Sequence, residues 1–325
     1  MNPTPVNAQS IALAAELLRQ DKLVVIPTET VYGLGGDASN PAAVRKIFAA
    51  KNRPVDHPLI VHLAYPKQMA DWACDVPNQA RRLAAQFWPG PLTLILNKKN
   101  SVPLEVTGGQ STVALRVPSH PAALWLLREF GGGIAAPSAN RFGRISPTEA
   151  RHVIADLGDA VACVLDGGPC MVGVESTILD LSGNRPVLLR PGRILRSELE
   201  AFLQTDIAVK TAHTIRAPGM MAVHYAPNTT AYLCPSDTLL ENAREQAAQG
   251  RRLGLLVFER HDADWPDHPT IALPCKPETY EPELYRALRQ LDQAVCDLIL
   301  IEQPPQDEAW QAVNDRLAKA TVQGE

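Results

Sequence analysis

Many familiar devices of catalysis are missing from this chain of 325 residues. Its six cysteines (Cys74, Cys163, Cys170, Cys234, Cys275 and Cys296) are scattered, and no two form a C-x-x-C pair. Secreted disulfide scaffolds are small and Cys-dense, so a disulfide framework is excluded and reduced thiols in a cytoplasm are expected. No G-x-x-x-x-G-K-[ST] occurs, so a nucleotide would not be held by a P-loop; no G-x-S-x-G occurs, and no Cys is placed as an obvious nucleophile. The stretch GLGGDA (Gly33 to Ala38) nearly matches the dinucleotide fingerprint. That fingerprint opens a helix directly after a strand, whereas here PTETVY intervenes and Asp37-Ala38-Ser39 precedes the helix, so it is rejected. His57 and His62 lack an accompanying set of acidic or Cys ligands at zinc spacing. No apolar run approaches the roughly 20 residues that span a bilayer. The amino-terminal stretch has no basic region before its apolar residues and reads as an amphipathic helix, not a signal peptide.

Strong charge is also absent. The formal net charge is −4, which does not announce a nucleic-acid binder. Residues 1–210 hold 21 Lys and Arg against 18 Asp and Glu, a net +3, while residues 211–325 hold 10 against 17, a net −7. A mildly basic first part suits an anionic ligand; the acidic second part does not suit nucleic acid.

What is present is ordinary globular material, with 46% hydrophobic and 20% charged residues. The length favours two domains. The 28 prolines lie among periodic segments and suggest rigid loops. Helical patterns (NAQSIALAAELLRQ, SNPAAVRKIFAAK, NQARRLAAQFW, PAALWLLREF, SPTEARHVIADLG, SELEAFL) are interleaved with strand patterns (KLVVI, LIVHL, LTLIL, TVALRV, VACVLD, STILDL, PVLLR). Ser39 or Asn40 caps the second helix, and Ser146 is expected to cap the fifth with Pro147 in its first turn. The spacing predicts an α/β fold over 1–204, its sheet partly parallel and partly antiparallel. The pattern lapses over 205–228, read as a linker, and alternation resumes over 229–325 as a smaller Rossmann-like α/β domain.

Chemistry-bearing residues gather near strand ends. In KNRPVDHPLIVHL, Lys51 and Arg53 follow a helix; if extended, they face the same way and suit a polyanion, though a solvated basic helix end is the plainer alternative. Arg116 sits within a strand of apolar neighbours and needs an anionic partner, either a ligand or a structural carboxylate. APSANRFGRISPT packs Ser138, Asn140, Ser146 and Thr148 into one loop before a helix, a plausible anion cradle. Ser176, Thr177 and Arg190 lie near further strand ends. Three or four cations and many hydroxyls, with few bases, favour binding and charge stabilisation over covalent catalysis.

The ordered segments PTETVYGLG, KNRP..HPLIVH, PSAN, SPT, GVESTILD, LLRPG and HYAP resemble the YrdC-type threonylcarbamoyl-AMP synthases in their long two-domain form, over essentially the whole chain. The resemblance implies a twisted mixed sheet with a basic cavity, a Rossmann-like second domain, and a linker (205–228) that closes as a lid. It implies an enzyme that joins L-threonine, bicarbonate or CO2 and ATP into L-threonylcarbamoyl-AMP, releasing pyrophosphate. A separate transferase complex then modifies tRNA beside the anticodon, with at most transient tRNA contact by this chain and no membrane. Lys51 and Arg53 would neutralise the triphosphate, with Mg2+ held by phosphates, no protein metal ligand and no organic prosthetic group. Thr30, His62, Arg116, Ser138 and Ser176 would hold L-threonine; Arg53, His57, Thr112, Asn140, Ser146, Arg190 and Tyr225 would hold ATP. Tyr32 would pack beside Thr30, and Glu29 defaults to a structural hydrogen bond. Two other readings stand beside this one. One is an RNA-binding module without chemistry. The other is a carbamoyl-transfer domain of hydrogenase maturation, whose acylphosphatase and zinc-finger parts are not visible here.

Overall fold

The computed structural model describes residues 1–209, 215–219, 224–259 and 268–322. Residues 210–214 and 220–223 of the expected lid therefore lie outside the described residues. Contacts divide the chain into two compact units: Met1–Phe142, Pro147–Met171 and Glu175–Met220 in the first, and Gly143–Ser146, Val172–Val174 and Met221–Glu325 in the second.

The first unit is built on β1 (Thr4–Pro5), β2 (Val24–Ile26), β3 (Gly33–Asp37), β4 (Ile60–His62), β5 (Leu92–Asn97), β6 (Thr112–Arg116), β7 (Ile134–Ala135), β8 (Cys163–Asp166), β9 (Thr177–Asp180), β10 (Val187–Arg190) and β11 (Ala208–Val209). They hydrogen-bond in the order β1-β8-β2-β3-β7-β4-β6-β5-β9-β10-β11. Parallel pairs (β4 with β6, β5 with β9, β2 with β8) alternate with antiparallel ones (β2 with β3, β5 with β6, β9 with β10), which is the mixed sheet expected from the sequence. Most of these strands are apolar runs because both faces of the sheet are covered. Val25, Leu34, Val61, Leu94, Leu115, Val164 and Leu179 are fully buried in one continuous core. The helix Ala8–Arg19 fills the opposite side with Ile11, Ala14, Ala15 and Leu18.

β3 was not expected as a strand, since glycine weakens strand propensity. Packing explains it: a Cβ on Gly35 would lie 2.9 Å from the Val24 carbonyl oxygen and 3.0 Å from Ile134. Only a residue without a side chain lets β3 slot between β2 and β7.

The helix Pro41–Lys51 is capped by Asn40, whose side chain accepts from the Ala42 N–H, and Pro41 sits in its first turn. It ends at Asn52 in the left-handed conformation, φ 52°. Lys51 is thus the last helical residue and Arg53 follows a reversed backbone, so the extended, same-face relation read from their spacing does not occur. Ser146 is not a helix cap either. The helix begins at Ala150 with Glu149 at its cap position, because Pro147 O accepts from Tyr32 N and Thr148 O from Cys170 N.

The second unit carries β12 (Ala231–Cys234), β13 (Leu253–Phe258), β14 (Thr270–Leu273) and β15 (Leu298–Glu302), all parallel, in the order β12-β15-β13-β14. Helices Leu239–Ala248, Pro277–Gln293 and Gln311–Ala320 alternate with them. This is the smaller α/β domain expected. Leu253, Leu255, Leu298 and Leu300 form its core with Leu239 and Ala243 of the first of those helices.

Candidate active site

Two loops of the first unit zip together to frame the site. The backbone of Tyr32 donates to Pro147 O and accepts from Ala139 N, Leu34 N donates to Pro137 O, and Gly33 bridges to Ser138. Tyr32 is fully buried; its hydroxyl donates to Gly168 O at 2.7 Å and accepts from Gly167 N at 3.1 Å, tying a third loop to the first. Burial, chiefly, raises its pKa, so it remains a phenol that cross-links loops.

Thr28, Glu29 and Thr30 are buried where β2 ends. Their partner is Arg116, the last residue of β6. Its Nη1 donates to Thr30 Oγ1 at 2.9 Å, its Nε to Gly90 O at 3.2 Å, and its Nη2 lies 2.8 Å from Glu29 Oε1. A hydroxyl relay continues from Thr30 to Thr28 at 2.9 Å and from Thr28 to Val31 O at 2.6 Å. Glu29 is therefore in an ion pair with Arg116, not simply in a structural hydrogen bond. Guanidinium has five N–H donors; two are engaged in hydrogen bonds here, and Nη2 makes only the ion-pair contact.

Parallel pairing of β4 with β6 sets His62 directly beside Arg116. Burial and then the Arg116 charge push the imidazole pKa down to about 3, against the pull of the Ile60 and Ile134 carbonyls. His62 is neutral at every working pH. The unfolded chain binds a proton there below about pH 6.5, so folding stability falls as pH drops from about 6.5 towards 3. The expected loss is about 1.4 kcal/mol for each pH unit in that window. Urea unfolding of His62→Gln between pH 4 and 7 should show a correspondingly flatter decline than the wild-type chain.

On the far side, Ser176 precedes β9. Its Oγ lies 2.7 Å from Thr93 Oγ1 and accepts from Arg190 Nη2 at 3.1 Å; Arg190 Nε also donates to Ser176 O at 3.0 Å, and Nη1 to Pro218 O at 3.0 Å. A Cβ on Gly192 would fall 2.4 Å from Thr177 N, so only glycine lets that turn close on the Ser176 segment.

Lys51 is 1% exposed, and its Nζ donates to Ser138 O at 2.5 Å and to Asn140 O. It holds the PSAN loop from below. Burial, and then the charge of Arg53, lower its pKa well below the usual lysine value. Arg53 donates to Pro58 O at 3.1 Å and sits over Phe142, whose ring also meets His57 edge-on. Burial and the same Arg53 charge lower the His57 pKa. Asn140 is buried and donates to Arg141 O at 2.7 Å; Thr112 is buried at the start of β6, opposite Asn97.

The first unit thus gathers Thr30, His62 and Arg116 at one point, Ser176 and Arg190 at another, and Lys51 with Ser138 and Asn140 at a third. Ser146 and Tyr225 belong to the second unit. There Tyr225, with φ 64°, stacks on Tyr285 at 5.8 Å, meets His224 edge-on at 4.1 Å and lies under Arg316. Sequence reasoning had not placed Glu29, Thr28 or Thr93. A carboxylate between two threonines, and a threonine inside the apolar strand Leu92–Asn97, were the available signals. Among the described residues no group of three or more His, Cys, Asp or Glu is placed to hold a metal ion, and no helix is long and apolar enough to cross a membrane.

Cations, hydroxyls and a neutral imidazole define an α/β protein suited to binding and aligning charged ligands. Comparison with known proteins makes this specific. The Sua5/YciO/YrdC family model, described as telomere recombination, matches residues 16–192, and the model of the threonylcarbamoyl-AMP synthase C-terminal domain matches residues 194–322. The chain is 42% identical to a threonylcarbamoyl-AMP synthase of Bacillus subtilis, covering 97% of this chain and 93% of the relative. It is 41% identical to that of Pyrococcus abyssi, covering 96% and 94%. The crystal structure of P. abyssi Sua5 complexed with L-threonine superposes with a TM-score of 0.92 at 39% identity, covering 99% of this chain and 98% of that one. The chain belongs to the threonylcarbamoyl-AMP synthase family, in its two-domain form, and is an enzyme of the nucleotidyltransferase type.

Proposed function

We propose that this protein condenses L-threonine, bicarbonate (or CO2) and ATP into L-threonylcarbamoyl-AMP and pyrophosphate, the first step in forming N6-threonylcarbamoyladenosine beside the anticodon of tRNA. A downstream transferase complex would consume the product. The observation that carries this reading is the meeting of Arg116, Thr30 and neutral His62 at the ends of β4 and β6, in a fold shared with P. abyssi Sua5, which has been solved complexed with L-threonine.

In this reading the threonine carboxylate takes the N–H donors that Arg116 has left, while Thr30, His62, Ser138 and Ser176 surround the rest of the amino acid. The amine adds to CO2 and gives a carbamate. A carbamate oxygen then attacks the α-phosphorus of ATP, and pyrophosphate leaves in line. No protein nucleophile is required, and none is offered. Arg53, with His57, Thr112, Asn140 and Arg190, would hold the nucleotide, and Ser146 and Tyr225 are proposed as further ATP ligands. Mg2+ when bound would offset phosphate charge; a cation carried by phosphates needs no acidic cluster in the protein. Lys51 and Arg53 would counter the charge that develops on the leaving group.

The test is pyrophosphate release by the purified protein in magnesium, with threonine and bicarbonate supplied together or singly. Release that requires both, with an AMP adduct of the expected mass, is the expected result. Release that needs no threonine would remove L-threonine as the substrate, and no release would remove the proposal and leave an RNA-binding module as the better reading.

A further inference from the structure

We propose that Glu29 is the ligand of the substrate's α-ammonium group and accepts one of its protons, so that the pocket reads both charges of the amino acid. The inference rests on the functional reading above and adds a residue to it.

Glu29 is 6% exposed, and neither of its carboxylate oxygens receives a hydrogen bond. Oε1 has the ion-pair contact with Arg116; among the described residues Oε2 has no hydrogen-bond partner. Buried carboxylates are held by several donors, because burial without them is strongly unfavourable. The available donors have gone elsewhere: Thr28 and Thr30 hydroxyls bond each other and Val31 O, and Thr30 takes the Arg116 N–H. Arg116 is in the complementary state, with Nη2 lacking a hydrogen-bond acceptor. A buried carboxylate with an open oxygen and a buried guanidinium with open N–H groups, in contact with each other, match the ammonium and the carboxylate of one zwitterion. A purely structural ion pair would instead turn both oxygens onto the guanidinium fork, as Arg–carboxylate pairs commonly do.

The contact also gives the proton a destination. An ammonium cannot attack carbon until a proton leaves its nitrogen. With bicarbonate, one proton passes to the Glu29 carboxylate as the N–C bond forms. The hydroxyl of bicarbonate leaves with a second nitrogen proton as water. The products are the carbamate anion, water and a neutral Glu29, so atoms and charge balance.

The test compares binding of L-threonine and of 2,3-dihydroxybutanoate of the same configuration, which carries a hydroxyl in place of the ammonium. Binding to the wild-type chain and to Glu29→Gln is measured by calorimetry, and pyrophosphate release at saturating threonine is measured alongside. The wild-type chain should prefer threonine by about 100-fold, the size expected for a hydrogen bond to a charged group. Glu29→Gln should lose most of that preference and most of its turnover, while Glu29→Asp, which keeps the charge, should retain part of both. A wild-type chain that binds the two compounds alike overturns the proposal, even if the Gln variant fails to fold. So does a Gln variant that keeps either its preference or turnover within about twofold of wild type. A wild-type chain that releases no threonine-dependent pyrophosphate removes the functional reading itself, a separate and recognisable result.

Discussion

Arg116→Lys is expected to raise the threonine concentration for half-maximal pyrophosphate release by about 100-fold while leaving the ATP requirement within about twofold, because a charged fork is lost at one substrate only. Lysine keeps the positive charge opposite Glu29, so the buried pair survives. It cannot reproduce the planar set of donors that reaches Thr30 Oγ1, Gly90 O and Glu29 at once and still keeps N–H groups without an acceptor. Arg116→Met should behave differently. It strands the Glu29 carboxylate at 6% exposure without its cation. Removing one partner of a buried pair costs about 3–5 kcal/mol, so the Met variant should unfold at distinctly lower denaturant as well as lose threonine binding. The double variant Arg116→Met, Glu29→Leu should recover much of that stability without recovering activity. Unchanged threonine dependence in Arg116→Lys would show that the guanidinium serves the fold alone.

How far the sequence reaches can be seen in this cluster. The apolar runs KLVVI, LIVHL, LTLIL and TVALRV became β2, β4, β5 and β6 within a residue or two, since burial on both faces leaves little choice of pattern. β3 escaped because its glycines answer to neighbouring backbone at Val24 and not to any propensity of their own. Arg116 was recognisable as a cation needing a partner, but the partner, Glu29, stands 87 positions earlier on a loop whose path no local rule predicts. Ser146 looked like a helix cap because Pro147 follows it as a first-turn residue; tertiary bonds from Tyr32 to Pro147 and from Cys170 to Thr148 instead hold that stretch out of the helix, which starts later. Lys51 and Arg53 were read together as a basic motif. Their spacing misled as to direction, because Asn52 reverses the chain between them.

That reversal shapes the second large effect. Lys51→Met should reduce pyrophosphate release by about 100-fold or more, in the range seen when a charge-stabilising donor is removed from an active site. Two losses combine. The ammonium no longer ties the carbonyls of Ser138 and Asn140, leaving buried acceptors at about 1–3 kcal/mol each. The charge available to the triphosphate also disappears. Proton counting separates them. Because burial and Arg53 lower the Lys51 pKa, there is a pH range below the ordinary lysine value in which the folded chain binds fewer protons there than the unfolded chain, and in that range this group's contribution to stability rises with pH. A bound polyanion favours the charged form, so within that range ATP binding should draw in a proton at Lys51. Calorimetry of ATP binding in buffers of different ionisation enthalpy should therefore show proton uptake in the wild-type chain and less in Lys51→Met. If the variant binds ATP with the same proton uptake and fails only in stability, Lys51 is a strut for the loop, and the charge on the triphosphate is countered by Arg53 and its neighbours.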